Sequence, residues 1–173
     1  FIGHKDLGYA KDELILLRMP GAHLAQRFGS IQAKLLQNPH VTNVSLGGGR
    51  MDGEQGNVPI YVEGHQDEGI PMAIEDSPFD FLKTIGGHLI AGREISEQYP
   101  ADTLQGVLIN ESAAKTFGWT PEEALGKKIT VGEIVLDGRI IGVTSDFNFE
   151  QLRSSIEPLV MYYPRTHIQD IYV

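Results

Sequence analysis

The acidic and histidine side chains are the residues whose types could support catalysis, and Asp146 is the strongest candidate among them. With His88 or His167 as its partner, Asp146 would form an acid–base pair of the kind that hydrolases use. The alternative is structural, because Asp is a preferred N-cap and a short helix is predicted just after it. Since the sequence assigns no partner to Asp146, we expect a cap. We expect Phe147 and Phe149, which flank Asn148, in a core or at a lobe interface.

Two further groupings could bind a metal or a phosphate. His65, Asp67 and Glu68 are metal-ligand types in one predicted loop, but no second histidine lies at helical or hairpin spacing from His65. Residues 47–57 (GGGRMDGEQGN) are glycine-rich, and glycine amides ahead of a helix can hold a phosphate. No P-loop lysine with serine or threonine follows, and no helix is predicted there. We therefore expect a solvated turn at 65–69 and a connecting loop at 47–57.

The sequence lacks the common catalytic motifs. It has no G-x-S-x-G elbow, no HExxH, no Walker A motif and no dinucleotide-binding fingerprint after a strand. It has no cysteine, which excludes disulfides, thiolate zinc ligands and a thiol nucleophile. No two of the six histidines are three or four residues apart; they are His4, His23, His40, His65, His88 and His167. These patterns predict a protein that is not an enzyme and holds no cofactor or metal.

Composition limits the partners. The chain has 173 residues, 41% of them hydrophobic, which is typical of a globular domain or two small lobes. Its net charge of −9 argues against nucleic acid and against an anionic membrane surface, because both attract clustered Lys and Arg. No apolar run approaches the roughly 20 residues that a membrane-spanning helix needs. The start at Phe1, without a signal peptide, and the end within a predicted strand lead us to expect a piece of a longer protein.

The elements that position these residues are predicted most clearly between residues 106 and 149. A short apolar strand at 107–109 leads into a helix with Asn110 as N-cap and Gly118 as its end. A second helix follows, with Thr120 as cap, Pro121 at its first position and Glu123 three residues after the cap. Strands are then predicted at 128–131, 133–136 and 139–145, with a turn at 137–138.

The remaining elements are predicted with the same signals. Residues 13–19 read as a strand covered on both faces, 22–38 as an amphipathic helix and 41–46 as a strand, together a βαβ-type unit. Ser77, Pro78 and Asp80 predict the capped start of a helix at 79–85. The other predicted strands are 58–64, 70–75, 88–91, 159–163 and 170–173, with a polar loop at 96–105.

Four segments, in order along the chain, resemble one known family. They are LGYAKDELILL (7–17), LLQNPHVTNVS (35–45), FLKTIGGHLIAGREIS (81–96), and the stretch from INESAAKTFGW (109–119) to IIGVTSDFNFEQLRSSIEP (140–158). In this order they resemble the periplasmic core domain of MacB-like and FtsX-like ABC transporter permeases, in the form common in Bacteroidetes-type bacteria. The resemblance covers nearly the whole chain.

The resemblance implies a fold and its division. The fold class is α+β in two small lobes: a βαβ-type, porter-like lobe near the membrane and an inserted mixed α/β, sabre-like lobe away from it. The membrane-proximal lobe would comprise residues 1–46 and 139–173, and the inserted lobe residues 47–138. Flanking transmembrane helices, absent from this chain, would anchor the domain.

The resemblance also implies a function. The chain would be the extracytoplasmic domain of a permease in the bacterial inner membrane, transmitting ATP-driven conformational change to a periplasmic substrate or partner. ATP would be bound by a separate cytoplasmic ABC ATPase subunit or domain, and the permease would pair as a dimer. Further partners would be a periplasmic adaptor, a lipoprotein, a peptide or a cell-wall enzyme. The partner-contact residues we predict are Arg50, Met51, Asp52 and Glu54. The alternatives are a ligand- or peptide-binding sensor with a cleft between lobes, and a hydrolase using Asp146.

Overall fold

The computed structural model describes residues 14–18, 24–47, 57–147, 157–164 and 170–173. These segments form, in chain order, β1 (Leu16–Arg18), α1 (Leu24–Leu35), β2 (Ser45–Gly47), β3 (Asn57–Val62), β4 (His65–Asp76), α2 (Phe81–Ile85), β5 (Leu89–Gly92), α3 (Asp102–Gln105), β6 (Gly106–Asn110), α4 (Glu111–Thr116), α5 (Pro121–Ala124), β7 (Lys128–Val131), β8 (Val135–Thr144), β9 (Leu159–Tyr162) and β10 (Asp170–Tyr172). The α+β class predicted from the sequence is confirmed.

A small antiparallel sheet joins the two ends of the chain. Its strand order is β1-β10-β2, so the C-terminal strand lies between two N-terminal ones. Helix α1 packs on this sheet through Phe28, Ile31 and Leu35, three of the four apolar positions that predicted its buried face. They pack against Val44, the residue before β2, and Ile171 of β10, both of which are buried.

The larger sheet closes into a barrel. Its order is β5-β8-β6-β9-β4-β3-β7, and β7 pairs in addition with β8, so six strands form a closed ring with β5 attached outside it. Strand β8 makes the closure possible because its first half pairs with β7 and its second half with β5, while β6 lies along its other edge. Gly138 lies at the β7 contact, where a Cβ atom would come within 2.8 Å of the Ile129 carbonyl oxygen. Closure leaves no free edge around the ring.

The predicted stretch from 106 to 126 is confirmed closely. Strand β6 is buried at all five positions between β8 and β9, as its apolar run predicted. Asn110 caps α4 by accepting a hydrogen bond from the Ala113 amide at 2.9 Å. Thr120 and Glu123 form the reciprocal capping box of α5, with Pro121 in its first turn.

Several predicted elements are wrong in detail. Strand β1 is exposed at all three residues rather than covered on both faces, because an apolar run predicts extended structure but coverage of its faces depends on tertiary packing. Residues 65–69 belong to strand β4, and the turn that precedes them uses Gly64 with a φ of 92°. Helix α2 begins at Phe81, and its N-cap is Asp80 in a left-handed conformation without a side-chain cap. The strands expected at 133–136 and 139–145 are the single strand β8, and the expected loop at 96–105 contains α3.

The larger sheet joins strands from both predicted lobes. Residues 139–144 and 159–162 pair with strands from 57–131, whereas β10 pairs with the N-terminal strands β1 and β2. These pairings place β8 and β9 on the two edges of β6, which is buried at all five positions. The division into lobes at 46/47 and 138/139 stays a prediction.

Candidate functional site

Asp146, the sequence-predicted catalytic candidate, has a structural partner. Its two carboxylate oxygens accept hydrogen bonds from the Ser112 amide at 3.0 Å and the Ser112 hydroxyl at 2.7 Å. Asp146 therefore caps the start of α4, whereas the helix expected after it lies outside the described residues. Phe147 is 1% exposed in a hydrophobic core, which confirms that expectation, whereas Phe149 and His167 lie outside the described residues.

The other sequence-predicted groupings are described only in part, since the side chains of His65 and Asp67 and all of residues 48–56 lie outside the described part of the structure. His88 is exposed, and its carbonyl, not its ring, accepts a bond from the Ser145 amide at 2.8 Å. In the described part of the chain no three His, Asp or Glu side chains come close enough to hold a metal ion. The predicted partner-contact residues Arg50, Met51, Asp52 and Glu54 lie outside the described residues.

The structure instead assembles a cleft that the sequence did not predict. Its volume is about 760 Å³, and it lies between elements of the two sheets; we call it the intersheet cleft. One wall comes from α1 and β2, and the other from the start of α2, the segment after β5 and the residue after β9. The lining residues are Phe28, Gly29, Gln32, Leu46, Pro78, Phe79, Asp80, Lys83, Glu94, Ile95, Ser96, Glu97, Gln98 and Tyr163.

Backbone-directed hydrogen bonds hold the α1 and α2 sides of the cleft in place. The Ser45 hydroxyl donates to the Phe79 carbonyl at 2.8 Å, which ties the small sheet to the start of α2. The Gln32 amide donates to the Val44 carbonyl at 3.1 Å, which ties α1 to the segment before β2. Asp80 adopts a φ of 61°, an uncommon conformation for a residue that is not glycine, and its carbonyl accepts bonds from both the amide and the hydroxyl of Thr84.

Contacts with Asp102, Tyr99 and the hydrophobic core fix the segment from Arg93 to Gln98. The Arg93 guanidinium forms a two-pronged ion pair with Asp102, a buried carboxylate at the start of α3, with one nitrogen at 2.9 Å from Oδ1. The same guanidinium lies 3.8 Å from the centre of the Tyr99 ring, a cation–π contact. Ile95, only 3% exposed, anchors the segment in the core. The acidic residues of the segment are therefore held on a fixed backbone.

The electrostatics of the intersheet cleft are acidic. Three carboxylates, on Asp80, Glu94 and Glu97, face one ammonium group on Lys83. Burial raises the pKa of Glu94, and the neighbouring negative charge of Asp80 raises it further, whereas Lys83 lowers it. Burial also raises the pKa of Tyr163, with a further contribution from Glu97.

Aromatic rings form the apolar part of the cleft. Phe79 and Tyr163 are in contact, with ring centroids 4.7 Å apart and planes tilted by 43°. Phe28, on α1, lines the opposite wall and is half-buried. No sequence pattern could have grouped these rings, because they come from segments far apart in the chain that meet only through the strand order.

Comparison with known proteins identifies the fold. No family profile and no curated protein sequence matches the chain, but solved structures do. The periplasmic region of MacB from Actinobacillus actinomycetemcomitans matches 92% of this chain and 72% of its own length, with 16% identity and a TM-score of 0.59. The extracellular domain of the noncanonic ABC-type transporter YknZ from Gram-positive bacteria matches 92% of this chain and 82% of its own, at 14% identity and a TM-score of 0.58.

A third structure agrees with these two. A domain of a permease protein from Porphyromonas gingivalis matches 83% of this chain and 65% of its own length, with 19% identity and a TM-score of 0.55. The chain therefore shares the fold of these three transporter and permease domains. The resemblance to the MacB-like periplasmic domain, predicted from four sequence segments, is confirmed at the level of the fold. Among the described residues, no helix has the length and apolar character needed to cross a membrane.

Proposed function

We propose that this chain is the extracytoplasmic domain of an ABC transporter permease and transmits ATP-driven conformational change to a periplasmic substrate or partner. The observation that supports the proposal is the shared fold, which extends over 83–92% of the chain in all three transporter domains. The sequence lacks the common catalytic motifs, and the Asp146 carboxylate bonds to Ser112 at the start of α4. Both observations are consistent with a domain that moves or binds a partner.

The proposal places the domain on the periplasmic side of the bacterial inner membrane, carried by flanking transmembrane helices. ATP would be bound and hydrolysed by a cytoplasmic ABC ATPase, and two permease copies would work together. A membrane-proximal lobe would contain the small sheet, and the inserted lobe would reach the adaptor, lipoprotein, peptide or cell-wall enzyme outside. Residues Arg50, Met51, Asp52 and Glu54, in the connection after β2, are the proposed contacts with that partner.

The test is purification of the full-length protein from detergent-solubilised membranes, followed by an ATP-hydrolysis assay. We expect an ATPase to co-purify, and we expect no ATPase activity in a parallel purification from cells that lack the tagged protein. Recovery of the protein from the soluble fraction without an ATPase would contradict the proposal.

The partner contact has its own test. Replacing Arg50, Asp52 and Glu54 together by alanine should weaken capture of extracytoplasmic partners and leave the ATPase bound, since the exchanged residues would face away from the membrane. Equal capture by the variant and the unchanged protein would remove these residues from the proposal.

A second function, a ligand- or peptide-binding sensor, is favoured by one observation, the intersheet cleft. Clefts with apolar walls and a few placed polar groups are the usual form of a binding site. The two functions are compatible, because a permease domain can bind a partner in such a cleft.

A further inference from the structure

The residues that line the intersheet cleft combine apolar rings with a net negative charge. Phe28, Phe79 and Tyr163 are each half-buried, so their rings keep apolar surface in contact with solvent inside the cleft. Beneath them Leu46 and Ile95 are buried and close the base. Covering this surface with an apolar side chain is favourable, because it removes apolar area from water.

Glu94 indicates that a ligand of the intersheet cleft would be positively charged. Its carboxylate is half-buried, yet it has no hydrogen-bond or ion-pair partner in the described part of the chain. Asp80 and Glu97 add two more carboxylates to the cleft, and Lys83 supplies the one ammonium group among its lining residues. A cation entering the cleft would relieve both the desolvation of Glu94 and its repulsion from Asp80.

We propose that the intersheet cleft binds a basic amphipathic segment of a partner protein. An aliphatic or aromatic side chain of that segment lies between Phe28 and Phe79, and its Lys or Arg side chains pair with Glu94 and Glu97. The proposal rests on the proposed function in one respect, since it names the surface by which the extracytoplasmic domain engages a partner. It is independent of the predicted contacts at residues 50–54.

Occupancy of the cleft would also affect how the two sheets are arranged. Its walls belong to both sheets, so a segment that contacts both walls stabilises one arrangement over others in proportion to its differential affinity. The cleft therefore couples partner binding to the movement that the domain transmits.

The test uses a fluorescein-labelled peptide of about 12 residues, with Lys and Leu spaced to form an amphipathic helix, and a matched Glu and Leu peptide. Binding to the chain is followed by fluorescence anisotropy. We expect the Lys peptide to bind at least about tenfold more tightly than the Glu peptide, a difference of 1.4 kcal/mol. Equal binding of the two peptides, or binding of neither, would overturn the proposal.

Matched variants separate the cleft from the overall charge of −9. Glu94→Gln with Glu97→Gln should raise the Kd of the Lys peptide about tenfold. The control, Glu111→Gln with Glu122→Gln, removes the same charge from the starts of α4 and α5 and should change Kd less than about twofold. Equal weakening by both double variants would show attraction by net charge and overturn the assignment to the cleft.

A second measurement locates the peptide without any variant. Amide chemical shifts on adding the Lys peptide should change in residues 28–32, 79–83 and 94–98 and stay constant in β3 and β7. Changes confined to another surface would overturn the proposal. Loss of peptide binding would leave ATPase co-purification unaffected, so the two proposals fail separately.

Discussion

Asn110 joins three segments of the structure through one buried amide side chain. Its Oδ1 accepts from the amides of Ala113 and Leu159, both at 2.9 Å, and its Nδ2 donates to the Glu157 carbonyl at 2.9 Å. The Asn110 side chain is completely buried, so loss of that side chain would leave the amides of Ala113 and Leu159 unpaired away from water. The N-cap role was predictable from the sequence, but the bonds to the start of β9 were not.

Asn110→Ala should lower the free energy of unfolding by about 2–4 kcal/mol, because it removes three hydrogen bonds and leaves buried groups unpaired. Urea unfolding of the variant checks this value. The control is Asn38→Ala, whose side chain accepts one exposed bond from the His40 amide and should cost less than about 1 kcal/mol. Similar losses in the two variants would contradict the bridging role.

Asp76 makes the stability of the fold depend on pH. Burial at the end of β4 raises its pKa from 3.8 to about 6. Because the folded state holds this proton more tightly than the unfolded state, the contribution of Asp76 is favourable at low pH and is lost as the pH rises from about 4 to 6. The difference corresponds to about 3 kcal/mol.

Asp76→Asn should therefore raise the free energy of unfolding at pH 8 by up to about 3 kcal/mol and change it little at pH 4. Urea unfolding of both proteins at the two pH values measures the effect, and comparison with the wild type cancels the same-direction contribution of Glu94. A difference that is the same at pH 4 and pH 8 would mean that burial of the charge is not its cause.

At the scale of the elements, barrel closure depends on the shape of β8. Gly138→Ala would bring its Cβ within 2.8 Å of the Ile129 carbonyl oxygen and 2.9 Å of a Val135 methyl group. Since the first contact is with backbone, β7 must move, and we expect a loss of about 1–3 kcal/mol. Gly29→Ala is the control, because Gly29 lies in α1 with nothing within 4 Å and should gain about 0.5–1 kcal/mol. Thermal unfolding measures both, and a neutral Gly138→Ala would argue against tight closure.

The elements show what local sequence can and cannot predict. The caps at Asn110 and Thr120 and the buried strand β6 were predictable, because their signals lie within a few residues of each other. Strand β1 was misread because its apolar run specifies extended structure and does not specify whether other elements cover its faces. The closure between β7 and β8 and the cleft were not predictable, because they depend on pairings between distant segments. The family resemblance predicted the overall fold, which the local sequence patterns did not specify.

At the scale of the whole molecule, one aromatic residue links the two sheets. Tyr172, in the central strand of the small sheet, is 1% exposed and packs edge-on against Phe81 of α2 with ring centroids 5.7 Å apart. It belongs to the hydrophobic core that also contains Leu108 and Met161 of the barrel. The small sheet has three-residue strands and an exposed edge, so this contact contributes to its stability together with the packing of α1 on the sheet.

Tyr172→Ala should therefore release the small sheet before the barrel. We expect the amides of β2 and β10 to exchange with solvent at a free energy lower by about 3–5 kcal/mol, the usual cost of removing a buried aromatic ring, while those of β6 stay protected. Native-state hydrogen exchange measures each strand separately, and Tyr172→Phe, which keeps the ring, should retain most of the protection. Leu136→Ala is the control, since its side chain is 72% exposed. In Tyr172→Ala, equal loss of protection in both sheets would show that the two sheets unfold as one unit. It would then argue against a movement of one sheet relative to the other.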